Sequence, residues 1–217
     1  MADGDNGDLM NRRQFLKGGA ATAAAVVTST WAEKAEAQGR PDPKKNAYTI
    51  LSRYAFTDND GNDVSIDEIK NKIKDKYVTV TFGFSRCGGG KPNAGICPPT
   101  NAQLAKMAKQ NDNLWHIVIG TDKLDNRNQN DRNNFMSVLK SHGMNPDRVI
   151  ILHPKDRDLQ DEMQRDFGAT LIGSITPPGH TPYVFLHEPN GAQIGKKIGT
   201  DTNTAEVLGK LIPARQR

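Results

Sequence analysis

Cys87 and Cys97 are the only cysteines among the 217 residues of this chain. Nine residues, Gly88 to Ile96, separate them, and the first three are Gly88-Gly89-Gly90. Two thiols at this spacing can close a structural disulfide, exchange disulfides with a partner, or bind a soft metal ion together with an imidazole. Cu(I) prefers thiolates and accepts imidazole, so two cysteines and one histidine make a suitable trigonal set. The long spacer is a small obstacle. Extending a loop from four links to ten adds roughly 0.8 kcal/mol of closure entropy, and the three glycines free the loop to turn both sulfurs inward. The plainer alternative is an inert disulfide, whose 11-residue ring would stabilise the fold by about 2.7 kcal/mol on the chain-entropy model.

The flanking elements favour chemistry over mere cross-linking. Tyr77 to Phe84 is a β-branched and aromatic run that predicts a buried strand. Pro98 to Gln110 predicts a helix, starting either at Pro98 with Cys97 as cap or at Thr100 with Gln103 completing a capping box. The cysteines therefore sit where a central strand passes into a helix. Further strands are expected over Leu114 to Thr121, Arg148 to His153, Tyr183 to Leu186 and Ala192 to Ile198, the last two joined by a turn at Glu188-Pro189-Asn190-Gly191. Helices are expected over Arg127 to His142, Leu159 to Phe167 and Thr204 to Ile212. Near the start, Tyr48 to Phe56 alternates weakly before the turn cluster Asp58-Asn59-Asp60-Gly61-Asn62, and Asp63-Val64-Ser65 completes a short β-hairpin. Ser65-Ile66-Asp67-Glu68 is a capping box that opens a helix to about Lys74. The predicted class is α/β, with a mixed central sheet, helices on both faces and an N-terminal β-hairpin. Thr181-Pro182 opens the next-to-last core strand, where a cis-proline would bring a loop against the cysteines. The thioredoxin-like fold arranges its parts this way.

The N-terminus supplies the compartment. Asn11-Arg12-Arg13-Gln14-Phe15-Leu16-Lys17 is a twin-arginine run, an Ala/Val-rich segment from Gly18 to Thr30 follows, and Ala35-Glu36-Ala37 is a small-x-small cleavage site. Residues 1–37 are thus expected to be a twin-arginine (Tat) signal peptide, 38–47 a flexible leader and 48–217 the folded domain. The apolar segment is too short for a stable membrane span after cleavage; an uncleaved anchor is the alternative. This route carries folded proteins to the periplasm, an oxidising compartment in which a cysteine pair can persist as a disulfide unless a reductant or metal holds it. The net charge is +4, with Lys and Arg scattered and no aromatic-rich basic stripe, so nucleic acid is not an expected partner.

Together, Phe82-Gly83-Phe84 before the first cysteine, Cys97-Pro98 opening the helix, Gly179-His180-Thr181, Tyr183-Val184-Phe185-Leu186 and the Pro189-Asn190-Gly191 turn resemble the Sco/SenC family. The likeness covers about residues 48 to 212. It implies a thioredoxin-like copper chaperone for cytochrome oxidase assembly. Two cysteines and one histidine hold copper in that family, so the implied metal ligands here are Cys87, Cys97 and His180. The implied cargo is a copper ion, and the implied partner is a copper acceptor such as the subunit of a terminal oxidase that carries the CuA-type site. The chain is atypical, because family members usually place three residues between the cysteines. Asp122-Lys123 stands where the family has Asp-Pro, and Thr181-Pro182 is more like the thiol-disulfide relatives of the fold.

That last departure keeps a second function open. A thiol-disulfide oxidoreductase would use Cys87 and Cys97 as its catalytic pair, one attacking a partner disulfide and the other resolving it, with a thiol-disulfide reductant as partner. Nine intervening residues argue against a simple dithiol of the short-ring kind. The remaining histidines fit structural roles: His116 inside a strand, His153 and His187 after strands, and His142 at a helix end where imidazolium suits the dipole. Arg86 and Lys91 flank the cysteines and either stabilise thiolate or are solvated surface charge. Asp122 and Asp125 fit a strand end and a helix start. The six methionines are dispersed, and no Ser/His/Asp set, phosphate loop or paired-carboxylate spacing stands out.

Overall fold

The run beginning at Tyr77 forms the central strand of an eight-stranded sheet. The computed structural model describes residues 42–83, 97–121, 128–156, 158–168, 183–198 and 208–212. In chain order the elements are β1 Asp42–Asn46, α1 Ala47–Leu51, β2 Phe56–Thr57, β3 Asp63–Val64, α2 Ile66–Lys72 and β4 Tyr77–Gly83. There follow α3 Cys97–Gln110, β5 Leu114–Gly120, α4 Gln129–Ser141, β6 Val149–Pro154, α5 Gln160–Asp166, β7 Tyr183–His187 and β8 Ala192–Ile198. The sheet order is β1-β8-β7-β4-β5-β6-β2-β3. β4, β5 and β6 run parallel, with Gly83 opposite Gly120 and Ile119 opposite Leu152, while β7 and β8 run antiparallel to their neighbours. This is the expected mixed sheet with helices on both faces and an N-terminal hairpin, in a thioredoxin-like arrangement.

Strand alternation divides β4 between two layers. Val78, Val80 and Phe82 enter the larger core with Ile117, Ile119, Leu152 and Phe185, covered by α1, α2 and α5. Phe82, Phe167 and Phe185 form an aromatic cluster there, with ring centroids 5.5 to 6.2 Å apart. On the opposite layer, α3 divides its buried residues between two clusters. Ala102 and Ala105 pack with Val118, Phe135, Leu139 and Ile151, while Leu104 and Ala108 pack with Leu114, Val184, Leu186 and Leu208. Each fully buried aliphatic or aromatic side chain contributes about 1.5–3 kcal/mol, so α3 is anchored along most of its length.

The helix starts follow local chemistry. The Ser65 hydroxyl accepts from the Glu68 N–H at 3.5 Å, the forward half of the expected capping box. Asn128 accepts from the Asp131 N–H at 3.1 Å and begins α4. His142 is the C-cap of α4, as its position implied. Residues 208–209 are helical within the expected closing helix.

Two expectations near the N-terminus need correction. Residues 38–47 were expected as a flexible leader, yet Asp42–Asn46 pairs with β8 as β1, and the Asn46 side chain donates to the Asn190 carbonyl at 2.8 Å. The weak alternation from Tyr48 is a helical turn, not a strand. The Asn46 carboxamide oxygen accepts from the N–H groups of Tyr48 and Thr49 and starts α1, which buries Ala47, Tyr48, Ile50 and Leu51. Apolar positions at that spacing serve a helix better than a strand. The hairpin itself is present but short, with Phe56 opposite Val64 and Thr57 opposite Asp63.

Candidate functional site

The polar positions of β4 all face α3. Thr79, Thr81 and Gly83 alternate with the apolar set, and both threonines are buried. Asn101, in the second turn of α3 and 1% exposed, meets them. The Thr81 hydroxyl donates to Asn101 Oδ1 at 2.5 Å, and His116 Nε2 lies 3.1 Å from the same oxygen. His116 Nδ1 lies 2.9 Å from the Thr79 hydroxyl. Burial pushes the His116 pKa down to about 3, opposed by the backbone of Thr79. A neutral imidazole has one donor and one acceptor, and Asn101 Oδ1 can only accept, so Nε2–H donates to Asn101 while Nδ1 faces the Thr79 hydroxyl, which also lies 3.4 Å from the Trp115 carbonyl.

The upper end of this layer is built for close approach. A Cβ on Gly83 would stand 3.1 Å from Asn101 Nδ2, with Val118 and Phe135 next nearest. Thr121 donates to the Gly83 carbonyl from both its N–H, at 2.8 Å, and its hydroxyl, at 3.2 Å. The ends of β4 and β5 are thus tied beside the first turn of α3.

Of the three residues expected to bind metal, Cys97 is the first residue of α3. That placement agrees within one residue with the helix start at Pro98. Cys87 and His180 lie outside the described residues, as do Arg86, Lys91, Asp122, Asp125 and the Thr181-Pro182 pair. Topology nevertheless fixes where their segments join the sheet. Segment 84–96 leaves β4 after Gly83 and re-enters the described chain at Cys97. Segment 169–182 enters β7 at Tyr183, and Val184 pairs with Thr81, so it joins at the same end of the sheet. Lys196 connects the residues flanking that second segment. Its Nζ donates to the Gly168 carbonyl at 2.5 Å and lies 4.1 Å from the Tyr183 ring centroid. Burial is the main cause lowering the Lys196 pKa.

The other buried histidines serve packing. His153 lies in β6, edge-on to Phe135 at 5.7 Å, and burial pushes its pKa down to about 4, aided by Arg132 and opposed by Asp58. His187 lies in β7 with Nδ1 3.0 Å from the Gly191 carbonyl, and burial likewise takes it to about 4. Among the described residues no three His, Cys, Asp or Glu side chains form a metal-binding group. The residues that sequence reasoning missed are Thr79, Thr81 and Asn101. Their signal was the polar half of the alternation Val78-Thr79-Val80-Thr81-Phe82-Gly83, hidden inside a run that reads as uniformly apolar.

The family model for the TAT (twin-arginine translocation) pathway signal sequence matches residues 9–29, so the chain is exported by that route to the periplasm. Among the described residues no helix is long and apolar enough to cross a membrane. No curated protein sequence matches the chain. Among solved structures, it is similar to a SCO1/SenC family lipoprotein from Bacillus anthracis str. Ames, with 18% identity and a TM-score of 0.56 over 72% of this chain and 89% of the other. It is similarly related to BsSco, described as a member of the Sco family of cytochrome c oxidase assembly proteins with a disulfide switch. There the identity is 16% and the TM-score 0.54, over 72% of this chain and 87% of that one. These likenesses establish the shared thioredoxin-like fold.

Proposed function

We propose that this chain is an exported member of the Sco/SenC family that binds copper as cargo through Cys87, Cys97 and His180 and passes it to a copper acceptor, such as a terminal oxidase subunit. The observation that carries the proposal is the start of α3 at Cys97, at the sheet end where the segments bearing Cys87 and His180 also attach. The donor set suits the metal, because two thiolates and one imidazole satisfy Cu(I) without further ligands. The start of α3 adds to this: the positive end of a 14-residue helix favours an anionic sulfur beside it. His116 is an unsuitable alternative ligand, since Thr79 and Asn101 engage both of its ring nitrogens. His187 lies at the opposite end of β7, bonded to the Gly191 carbonyl.

A second reading, thiol-disulfide exchange by the Cys87/Cys97 pair with a thiol reductant as partner, draws support from the disulfide switch described for BsSco. The two readings make different demands on the histidine. The deciding experiment is an anaerobic Cu(I) titration of the reduced protein against a competing chelator, alongside His180→Ala. The copper reading expects one tight equivalent that weakens at least a hundredfold in the variant. Binding unaffected by His180→Ala would remove the histidine from the site, and no competitive binding at all would abandon copper and leave the reduction potential of the Cys87–Cys97 pair to separate disulfide exchange from an inert cross-link.

A further inference from the structure

Two strands and a helix share one hydrogen-bonded polar cluster beneath the start of α3, among the apolar side chains that pack that helix. Apolar residues of similar volume would dock the helix at least as well, because desolvating polar groups offsets most of what their hydrogen bonds return. What the cluster adds is direction. Asn101 Oδ1 takes one hydrogen bond from Thr81 in β4 and another from His116 in β5, so turning α3 about its own axis would break both. His116 is in turn held by Thr79.

We propose that the Thr79–His116–Asn101–Thr81 hub is the positioning device of the cysteine pair, fixing the first turn of α3 and holding the Asn101 amide with its oxygen inward and its N–H2 toward the last residue of β4. The proposal rests on the reading of Cys87 and Cys97 as the functional pair. Asn101 follows Cys97 by four residues, about one helical turn. Its Nδ2 faces Gly83, where an added Cβ would stand only 3.1 Å away, so the absence of a side chain at Gly83 lets the amide approach the end of β4. An oriented N–H donor beside a helix start adds to the positive field already present. That field stabilises thiolate and copper–thiolate forms over a neutral disulfide. Burial keeps His116 uncharged, so the hub contributes orientation without bringing a charge of its own.

The test uses two measurements on His116→Phe, Asn101→Leu, their double variant, Thr81→Val and Thr81→Ser. The first is equilibration with glutathione, in which two glutathione thiols are oxidised to one disulfide as the Cys87–Cys97 disulfide is reduced to two thiols. The second is anaerobic competition for Cu(I). Loss of the hub is expected to lower the reduction constant about tenfold, or about 30 mV, and to weaken Cu(I) binding by a similar factor. The double variant should be no worse than Asn101→Leu alone, which already removes the oxygen that His116 and Thr81 share. Thr81→Val should show about a threefold loss that Thr81→Ser restores. Folded variants of His116 and Asn101 that stay within twofold of the wild type in both measurements overturn the proposal. If those variants do not fold, Thr81→Val behaving as wild type overturns it. A wild type that exchanges with glutathione but binds no copper defeats the copper reading and leaves the hub to be judged on potential. A wild type that does neither defeats both.

Discussion

Lowering the pH from 7 to 5 should destabilise the folded protein by about 6 kcal/mol. The three histidines His116, His153 and His187 are all fully buried. Their folded pKa values lie at about 3, 4 and 4, against 6.5 for the unperturbed side chain. The unfolded chain therefore binds more protons than the folded one throughout the interval. The stability associated with the neutral rings is fully present above about pH 6.5 and is lost as pH falls, with the loss levelling off below about pH 4 to 3. At pH 5 each ring contributes about 2 kcal/mol of this loss, and the slope there approaches about 4 kcal/mol per pH unit. Asp58, where burial raises the pKa but bonds from Asn62, Asp60 and Gly61 together outweigh it and lower it, acts in the same sense but only below the ordinary carboxylate range. The assay is urea unfolding followed by far-UV circular dichroism at half-unit steps from pH 7.5 to 4.5, at constant ionic strength. A slope below about 1 kcal/mol per unit near pH 5 would mean that the three rings titrate close to their free values. The burial argument would then fail.

The same buried rings and the tight turn near them give two further expectations. Among the described residues neither ring nitrogen of His153 has a hydrogen-bond partner, so His153→Leu should stabilise the protein by about 1–2 kcal/mol at pH 7, and by more at pH 5; a urea midpoint that falls instead would show that the ring is satisfied. Gly191 has φ near +90°, and a Cβ there would meet Asn46 and Tyr48 at 2.6 Å. Gly191→Ala should therefore cost about 2 kcal/mol or more and speed hydrogen exchange at the Ala47 amide, which donates to the Gly191 carbonyl; unchanged protection of that amide would refute the steric argument.

Most of the fold is legible in the residue pattern because its core strands are long, buried and separated by recognisable caps and turns. Leu114–Gly120 and Ala192–Ile198 need no tertiary information to be placed. The errors fall where short segments depend on a partner. Asp42–Asn46 contains Pro, Lys and Asn, all poor strand formers, and is extended because β8 offers it an edge. The turn at Ala47–Leu51 follows from the Asn46 cap, which only becomes decisive once Tyr48 and Leu51 have a core to enter. In the site, Cys97 could be placed from sequence because a strand-to-helix junction is a local pattern. Asn101 and His116 could not be joined beforehand, since their contact depends on the register of α3 against β5, fifteen residues later in the chain.

The export route bears directly on what the cysteines are for. A twin-arginine signal carries the chain across the membrane after folding, so the fold must be complete in the cytoplasm, where thiols are kept reduced. The protein must therefore be stable with Cys87 and Cys97 as free thiols. The described structure provides for this: three apolar clusters cover both layers of the sheet. The roughly 2.7 kcal/mol that an 11-residue ring could add becomes available only after export, to a domain that has already folded without it. A disulfide that arrives after folding is not needed to specify the structure. This weighs against the inert cross-link and leaves the thiol pair free for metal binding or exchange, at the junction where β4 gives way to α3.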